Sequence, residues 1–360
     1  MITETSEVGP WAGEVLALAA AAEQADGVAA LSEQTLLDLR HPGRPVRHLL
    51  ARVAHDPHPD PARAHAGVDG AARDEEEGAV VGYAQVQPPA EGGAASAELV
   101  VHPAGRRRGV GRALLEAVRL RGDVAVWAHG NLPAARALAV AAGLTQVREL
   151  LQMARDLPPA GAGGDGADAA ATNDAGDAAG TVGTAAAGAD TAAGAAGSAG
   201  VPAPDALAAL GARPGYAVAP FVPGRDEEAW VRLNARAFAD HPEQGRMTVA
   251  DLRARQAEDW FDPSLLWLVR PAGTPDTGPV ASMWVKAEPG ADEGEIYALG
   301  VDPSAQGQGL GGALTRLALA EMARRGLGRA TLYVEGDNAA ARRTYEREGF
   351  RPLRSDVQYR

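Results

Sequence analysis

The chain has 360 residues, 46% of them hydrophobic, which is enough for two domains with sizeable cores. A formal charge of −13 argues against a nucleic-acid surface, which needs a basic stripe, and fits a protein that handles small molecules. Without cysteine, disulfides, thiolate metal sites and cysteine nucleophiles are excluded; the eight histidines show no metal-ligand spacing, so no metal is expected.

The opening "MITETSEVGPWAGEV" lacks the basic stretch and apolar core of a secretion signal. No apolar run approaches the roughly 18–20 residues that cross a bilayer. A cytoplasmic monomer without membrane contact is expected. "AHDPHPDPARAH" (54–65) has histidines but no ligand geometry, and "RDEEEG" (73–78) reads as a solvated hairpin loop. "ELVVHPAGRRRGVGRALLEAV" (98–118) follows, in which His102 shapes a turn, and then "VWAHGNLPAARALAVAAGL" (126–144). Residues 158–204 are almost entirely Ala, Gly, Asp and Thr. They offer no large apolar side chains against the entropy of ordering, and their glycines count against an alanine helix, so a disordered linker is expected. It divides an N-terminal domain, 1–157, from a C-terminal domain, 205–360.

Beyond the linker, "YAVAPFV" reads as a strand and "DEEAWVRLNARAFADH" and "TVADLRARQAEDWF" as helices. "SLLWLVR", "PVASMWVKAE" and "GEIYALGVDP" are successive strands, rich in branched and aromatic residues. A helix over about 309–325 steps through Leu310, Leu314, Leu317 and Glu321. Strand "RATLYVEG", helix "NAAARRTYEREG" and a last extended segment, "FRPLRSDVQY", complete the chain. Antiparallel hairpins followed by a crossover helix predict an α/β fold, a mixed sheet covered by helices.

The two halves repeat each other. Residues 98–118 align with "ALGVDPSAQGQGLGGALTRLA" (298–318) at a constant offset of 200. Residues 126–144 align with "LYVEGDNAAARRTYEREGF" (332–350) at an offset of 206. Within the first block a strand ends, a glycine-rich turn follows and a helix begins. The first N–H groups of that helix have no partner inside it, and its dipole favours negative charge. Glycines let the backbone approach a diphosphate closely. The loop lacks the Gly-Lys-Ser/Thr ending of a Walker loop, and it does not open its domain as a Rossmann loop does.

The loop reads Gln306-Gly307-Gln308-Gly309-Leu310-Gly311, and Arg106-Arg107-Arg108-Gly109-Val110-Gly111 in the first half. It resembles the Gln/Arg-x-x-Gly-x-Gly/Ala signature of the GNAT superfamily of acetyl-CoA-dependent N-acetyltransferases. "DNAAARRTYEREGF" (337–350) meets that superfamily's second signature. The tandem arrangement with "HPEQG", "WVK", "GEIYALGVDP" and "LYVEGDN" is similar to the mycothiol synthase family of actinobacteria. The long linker and the insertion at 55–77 depart from it.

The resemblance implies two GNAT domains and acetyl transfer from acetyl-CoA to the cysteinyl amine of a cysteine–glucosamine–inositol conjugate, the last step of mycothiol biosynthesis. It implies acetyl-CoA contacts at Leu299, Gly300, Val301, Gln306, Gly307, Gln308, Gly309, Leu310, Gly311 and Gly312, and at Asn338, Ala339, Ala340, Ala341, Arg342 and Arg343. In the first half it points to Leu99, Val100, Val101, Arg107, Arg108, Gly109, Val110, Gly111 and Arg112. It implies an acceptor bound by Glu33, Glu243, Lys286, Glu295 and Tyr333, with Glu295 as base and Tyr345 as acid.

The residues alone leave simpler readings open. Glu295 is equally a solvated strand-edge charge, Tyr345 a packing residue, Asn338 a helix cap and Lys286, the sole lysine, an exposed charge. The alignment gives Ala95, Ala139 and Leu132 as first-half counterparts of Glu295, Tyr345 and Asn338. The first half therefore reads as a non-catalytic partner that keeps a coenzyme loop. An N-acetyltransferase for a protein N-terminus or aminoglycoside, and a non-catalytic acetyl-CoA-binding protein, are the alternatives.

Overall fold

A computed structural model describes residues 1–53, 78–89, 94–158, 214–239, 242–274 and 277–360. The predicted linker lies outside these residues except for Pro158, as do the histidine segment 54–65 and all of 73–78 but Gly78. In chain order the first half gives β1 (Ile2–Thr5), α1 (Ala12–Asp26), α2 (Glu33–Arg40), β2 (Arg47–Arg52), β3 (Val80–Gln87), β4 (Ala95–Val101), α3 (Val110–Arg119), β5 (Val124–Ala128), α4 (Pro133–Ala141) and β6 (Gln146–Asp156). The second gives β7 (Tyr216–Pro220), α5 (Glu227–Ala237), α6 (Pro242–Gly245), α7 (Val249–Gln256), β8 (Leu266–Pro271), β9 (Ala281–Ala287), β10 (Glu293–Val301), α8 (Leu310–Arg324), β11 (Arg329–Glu335), α9 (Ala339–Arg347) and β12 (Arg351–Tyr359).

The chain forms two compact units, and their membership crosses the sequence boundaries read above. One unit holds Met1–Leu150 together with Arg354–Arg360, and the other holds Leu151–Leu353. Each half thus gives the end of its final strand to the other unit. In the first unit, Val357 and Tyr359 pair antiparallel with Ala128 and Val126 of β5, and Arg360 exchanges two backbone bonds with Thr145. In the second, Met153 and Leu157 enter the main core, and the Leu157 N–H donates to the Gly328 carbonyl.

In the first unit β1 to β4 are antiparallel neighbours, and β4 runs parallel to β5. One core joins α1 to this sheet through Val15, Leu18, Tyr83 and Val100. Another joins α3 through Leu114, Leu115, Val118 and Val126. The second unit repeats the plan, with β7 to β10 antiparallel and β10 parallel to β11. Leu310, Leu314, Ala318 and Met322 of α8 bury one stripe on the sheet. Trp230, Leu252, Trp260 and Trp284 fill the side of α5 and α7.

The order of elements read from the second half is realised, with α6 added between the two early helices. The second of these is shorter than expected. A capping box between Thr248 and Asp251 starts α7, which ends at Gln256 rather than running on to Phe261. Trp260 and Phe261 instead pack on Trp284, with ring centroids 5.6 and 5.9 Å apart. Burying three large rings together outweighs a few more helical residues. Among the described residues no helix is long and apolar enough to cross a membrane, and no group of three or more His, Cys, Asp or Glu side chains is placed to hold a metal ion.

Candidate active site

The centre of the second unit is a parting of strands. β10 and β11 pair from Glu293–Arg329 to Ile296–Leu332, after which β10 continues to Val301 without β11. Along that stretch β10 is bonded on its other edge to β9, with Leu299, Gly300 and Val301 opposite Met283, Ser282 and Ala281. Backbone groups facing the parted edge are therefore open to an extended ligand. Gly300 has a packing reason too, because a Cβ there would lie 3.2 Å from Ala237 and Phe238.

At the end of β10 the chain turns through Pro303–Ala305 into the glycine loop. Gly307 and Gly309 adopt left-handed φ values of 71° and 76°, and Gly309 starts α8 with no side-chain cap. A Cβ on Gly307 or Gly311 would meet nothing within 4 Å, so the space before the helix is open. The first unit repeats this geometry: Arg107 and Gly109 have φ of 62° and 83°, and α3 also starts without a side-chain cap. Arg107, Arg108 and Arg112 are exposed around it. The residue at the head of each loop ties it to its strand: Arg106 Nε donates to the Val101 carbonyl at 3.2 Å, and Gln306 Nε2 to the Val301 carbonyl at 3.5 Å.

Each loop is also pinned by an ion pair of opposite polarity. Arg106 grips Asp26 of α1 with two bonds of 2.7 Å, whereas Arg236 of α5 donates to Asp302 at 2.5 Å. Bonds from Ser304 and Arg236 hold the Asp302 carboxyl down at about 2. His102, in the corresponding place, accepts from the Ala104 N–H and shapes the turn as expected.

The structure sets Glu295, Lys286 and Tyr333 of the predicted residues on one face of the sheet. Glu295 stands opposite Lys286 of β9 and Thr331 of β11, and Tyr333 lies two residues beyond Thr331, so all four occupy one face. Lys286 Nζ is 3.0 Å from Glu288 and 4.8 Å above the Trp260 ring. Tyr345 is buried on α9 with its ring edge-on to Phe350. Burial pushes its hydroxyl up to about 12, and the hydroxyl makes no hydrogen bond among the described residues. It is therefore protonated at neutral pH. The Asn338 side chain accepts from the Ala341 N–H at 3.0 Å, which makes it the cap of α9. Arg342 folds back onto the Gly336 carbonyl, while Arg343 is exposed. Glu243 lies in the short α6, and Glu33 in the first turn of α2 in the other unit.

The first unit carries a cluster that the sequence reading missed. Glu98, buried in β4, accepts from the Ser32 N–H at 2.7 Å and the Ser32 hydroxyl at 2.5 Å. His129, just past β5, lies with Nε2 3.4 Å from Glu98 and Nδ1 2.9 Å from Asp356. The Asp356 carboxylate also accepts from the Gly130 N–H at 2.7 Å. Burial disfavours the imidazolium, but the bond to Asp356 and the nearby Glu98 carboxylate outweigh it and raise the His129 pKa to about 10. Burial likewise opposes both carboxylates, yet their bonds with His129 hold them below the ordinary range. A glutamate inside the apolar strand "AELVV" was the available signal.

Fold, loops and parted strands define two acetyltransferase units of the GNAT type. The model of the acetyltransferase (GNAT) family matches residues 229–350, and that of an acetyltransferase (GNAT) domain matches 71–141. The chain is 45% identical to the mycothiol acetyltransferase of Beutenbergia cavernae, covering 97% of this chain and 95% of that protein. It is 42% identical to the mycothiol acetyltransferase of Thermomonospora curvata, over 97% and 93%. Among solved structures, the tandem GNAT protein of the clavulanic acid biosynthesis pathway shares the fold at 16% identity and a TM-score of 0.58, covering 100% of this chain and 98% of that one. A GCN5-related N-acetyltransferase from Sphaerobacter thermophilus does so at 21% and 0.55, covering 99% and 94%. The chain belongs to the mycothiol acetyltransferase family.

Proposed function

We propose that the protein transfers an acetyl group from acetyl-CoA to the cysteinyl amine of the cysteine–glucosamine–inositol conjugate, completing mycothiol. The observation that carries this reading is the unpaired edge of β10, which ends at an uncapped, glycine-opened helix start. Acetyl-CoA supplies the thioester. The N–H groups of Gly309–Gly312 hold its diphosphate, with Gln306–Gln308 around them, and the backbone of Leu299–Val301 pairs with its pantetheine arm. Asn338–Arg343 flank the arm.

Glu295 accepts a proton from the acceptor's ammonium and so frees the amine to attack. As the C–N bond forms and the C–S bond breaks, the Tyr345 hydroxyl donates its proton to the sulfur. The chain has no cysteine, so no acetyl-thiol enzyme forms; attack is direct within a ternary complex, and ping-pong kinetics would contradict it. Holding amine and thioester in line supplies about 7–11 kcal/mol of the barrier. Lys286, Tyr333 and Glu243 bind the acceptor. The first unit keeps acetyl-CoA at Leu99–Val101 and Arg107–Arg112 without reacting it. The protein works as a cytoplasmic monomer, where acetyl-CoA is made and used.

Assay of the purified protein with acetyl-CoA and the conjugate, against a peptide N-terminus and an aminoglycoside, tests the reading. Turnover confined to the conjugate upholds it. Preference for another amine, or tight acetyl-CoA binding without product, overturns it. In a deletion strain, thiol profiling is expected to show loss of the acetylated thiol and accumulation of its deacetyl precursor.

A further inference from the structure

The β9–β10 register slips by one residue between Ile296, opposite Val285, and Ala298, opposite Trp284, with Tyr297 at the bulge. A bulge gives up ladder bonds and re-aims the strand. This one decides which face Glu295 occupies. In a regular strand, Ile296 and Leu299, three residues apart, point to opposite faces. Here both pack into the core under α8, while Tyr297 and Ala298 both face the side of α5 and α7. Glu295 consequently shares that second face with Lys286 and Tyr333. Closing the bulge would turn Glu295 to the other side of the sheet relative to Leu299–Val301.

The bulged residue is firmly held. The Tyr297 ring meets Trp284 at 4.8 Å and Trp260 at 5.2 Å. Its hydroxyl accepts from Arg255 Nε at 2.6 Å, and Arg255, only 6% exposed on α7, also donates from Nη1 to the Asp251 carbonyl at 3.0 Å. Burying a guanidinium is costly unless its bonds are well made, and a short charge-assisted bond is among the stronger ones available. We propose that Arg255 is a positioning residue for acetyl transfer: through the Tyr297 hydroxyl it fixes the bulge, and so fixes Glu295 and the open edge of β10 against the thioester. The inference rests on the acetyl-transfer reading above.

Tyr297→Phe removes the hydroxyl and keeps the ring, so the aromatic packing survives. The expected result is a fall in kcat of roughly 10–100-fold, the scale of an ångström-sized misplacement, far exceeding any rise in KM for acetyl-CoA because the glycine loop is untouched. Arg255→Met is expected to match it, the double variant to be no worse than Arg255→Met alone, and Arg255→Lys to recover part of the loss. Wild-type kcat in Tyr297→Phe, or additive losses in the double variant, would overturn the proposal. Wild-type protein that is silent toward the conjugate would instead sink the functional reading. The bulge is then judged by crystallography of Arg255→Met, where a displaced Tyr297 and Glu295 uphold the proposal and an unchanged bulge defeats it.

Discussion

In the second unit the parallel pair β10–β11 parts after Ile296 and Leu332, and the strand beyond carries a bulge. In the first, β4–β5 stays together one pair further, to Glu98 and Trp127, and β4 runs in unbroken register with β3. Where the second unit has Ala298 and Glu335, the first has Glu98 and His129 joined across the parting. Both units keep the anion-ready loop, and only the first carries a Glu–His pair where its parallel strands separate. After duplication, a coenzyme loop and a reaction cleft can evidently diverge separately. One ion pair changes the strand parting, whereas the loop is a backbone conformation that survives even an arginine at a left-handed position.

The largest test of this contrast is Glu295→Gln. We expect a loss of turnover of about 10³-fold, the scale of a missing general base, with acetyl-CoA binding by titration calorimetry retained. Wild-type rates would remove Glu295 from the mechanism.

Tyr345→Phe is expected to cost about 10²-fold in kcat. Because burial raises its hydroxyl to about 12, the wild-type kcat–pH profile gains no alkaline limb from Tyr345 until pH nears that value. A limb near pH 10 that vanishes in Tyr345→Phe would contradict this assignment.

His129→Ala turns the comparison toward stability. It leaves Glu98 and Asp356 buried without their shared cation, at a cost of about 3–5 kcal/mol, while kcat per folded molecule stays near wild type. The His129 pKa is raised from 6.5 to about 10, so its contribution is whole below the unfolded value and disappears as pH rises through about 10. The two carboxylates are lowered, so theirs is present above about 4 and fades as pH falls through their lowered values. Thermal melts across pH should show this plateau in wild type and lose its alkaline edge in His129→Ala.

The smallest effect expected is at Arg107, whose φ of 62° suits glycine. Arg107→Gly relieves roughly 1 kcal/mol of backbone strain, read as a slightly higher melting temperature. A lower one would mean that the arginine is held there by contacts of its own.

Much of this was legible in the chain. Strand and helix periodicity gave the order of the second half, and the glycine spacing located both loops, because both depend on neighbours within a few residues. What escaped depends on distant partners. A constant offset sets Ala95 against Glu295, but the bulge adds one residue, and the strand pairing instead makes Ser96 the counterpart. No local pattern announces that a tyrosine will be squeezed out of a ladder by two tryptophans and an arginine from another helix. The His129 cluster needs Glu98 and Asp356, which no local window spans. Helix α7 ends early because its last aromatic residues are worth more in the core than in another turn.

The trading of final strands has a consequence for how the molecule is made. Residues 354–360 complete the first unit and follow the late copy in the chain, so the early copy stays unfinished until the late one has been translated. Cutting the gene between codons 158 and 214 would yield two polypeptides, each carrying the strand segment that the other unit lacks. Neither product is expected to mature unless both are synthesised in the same cell.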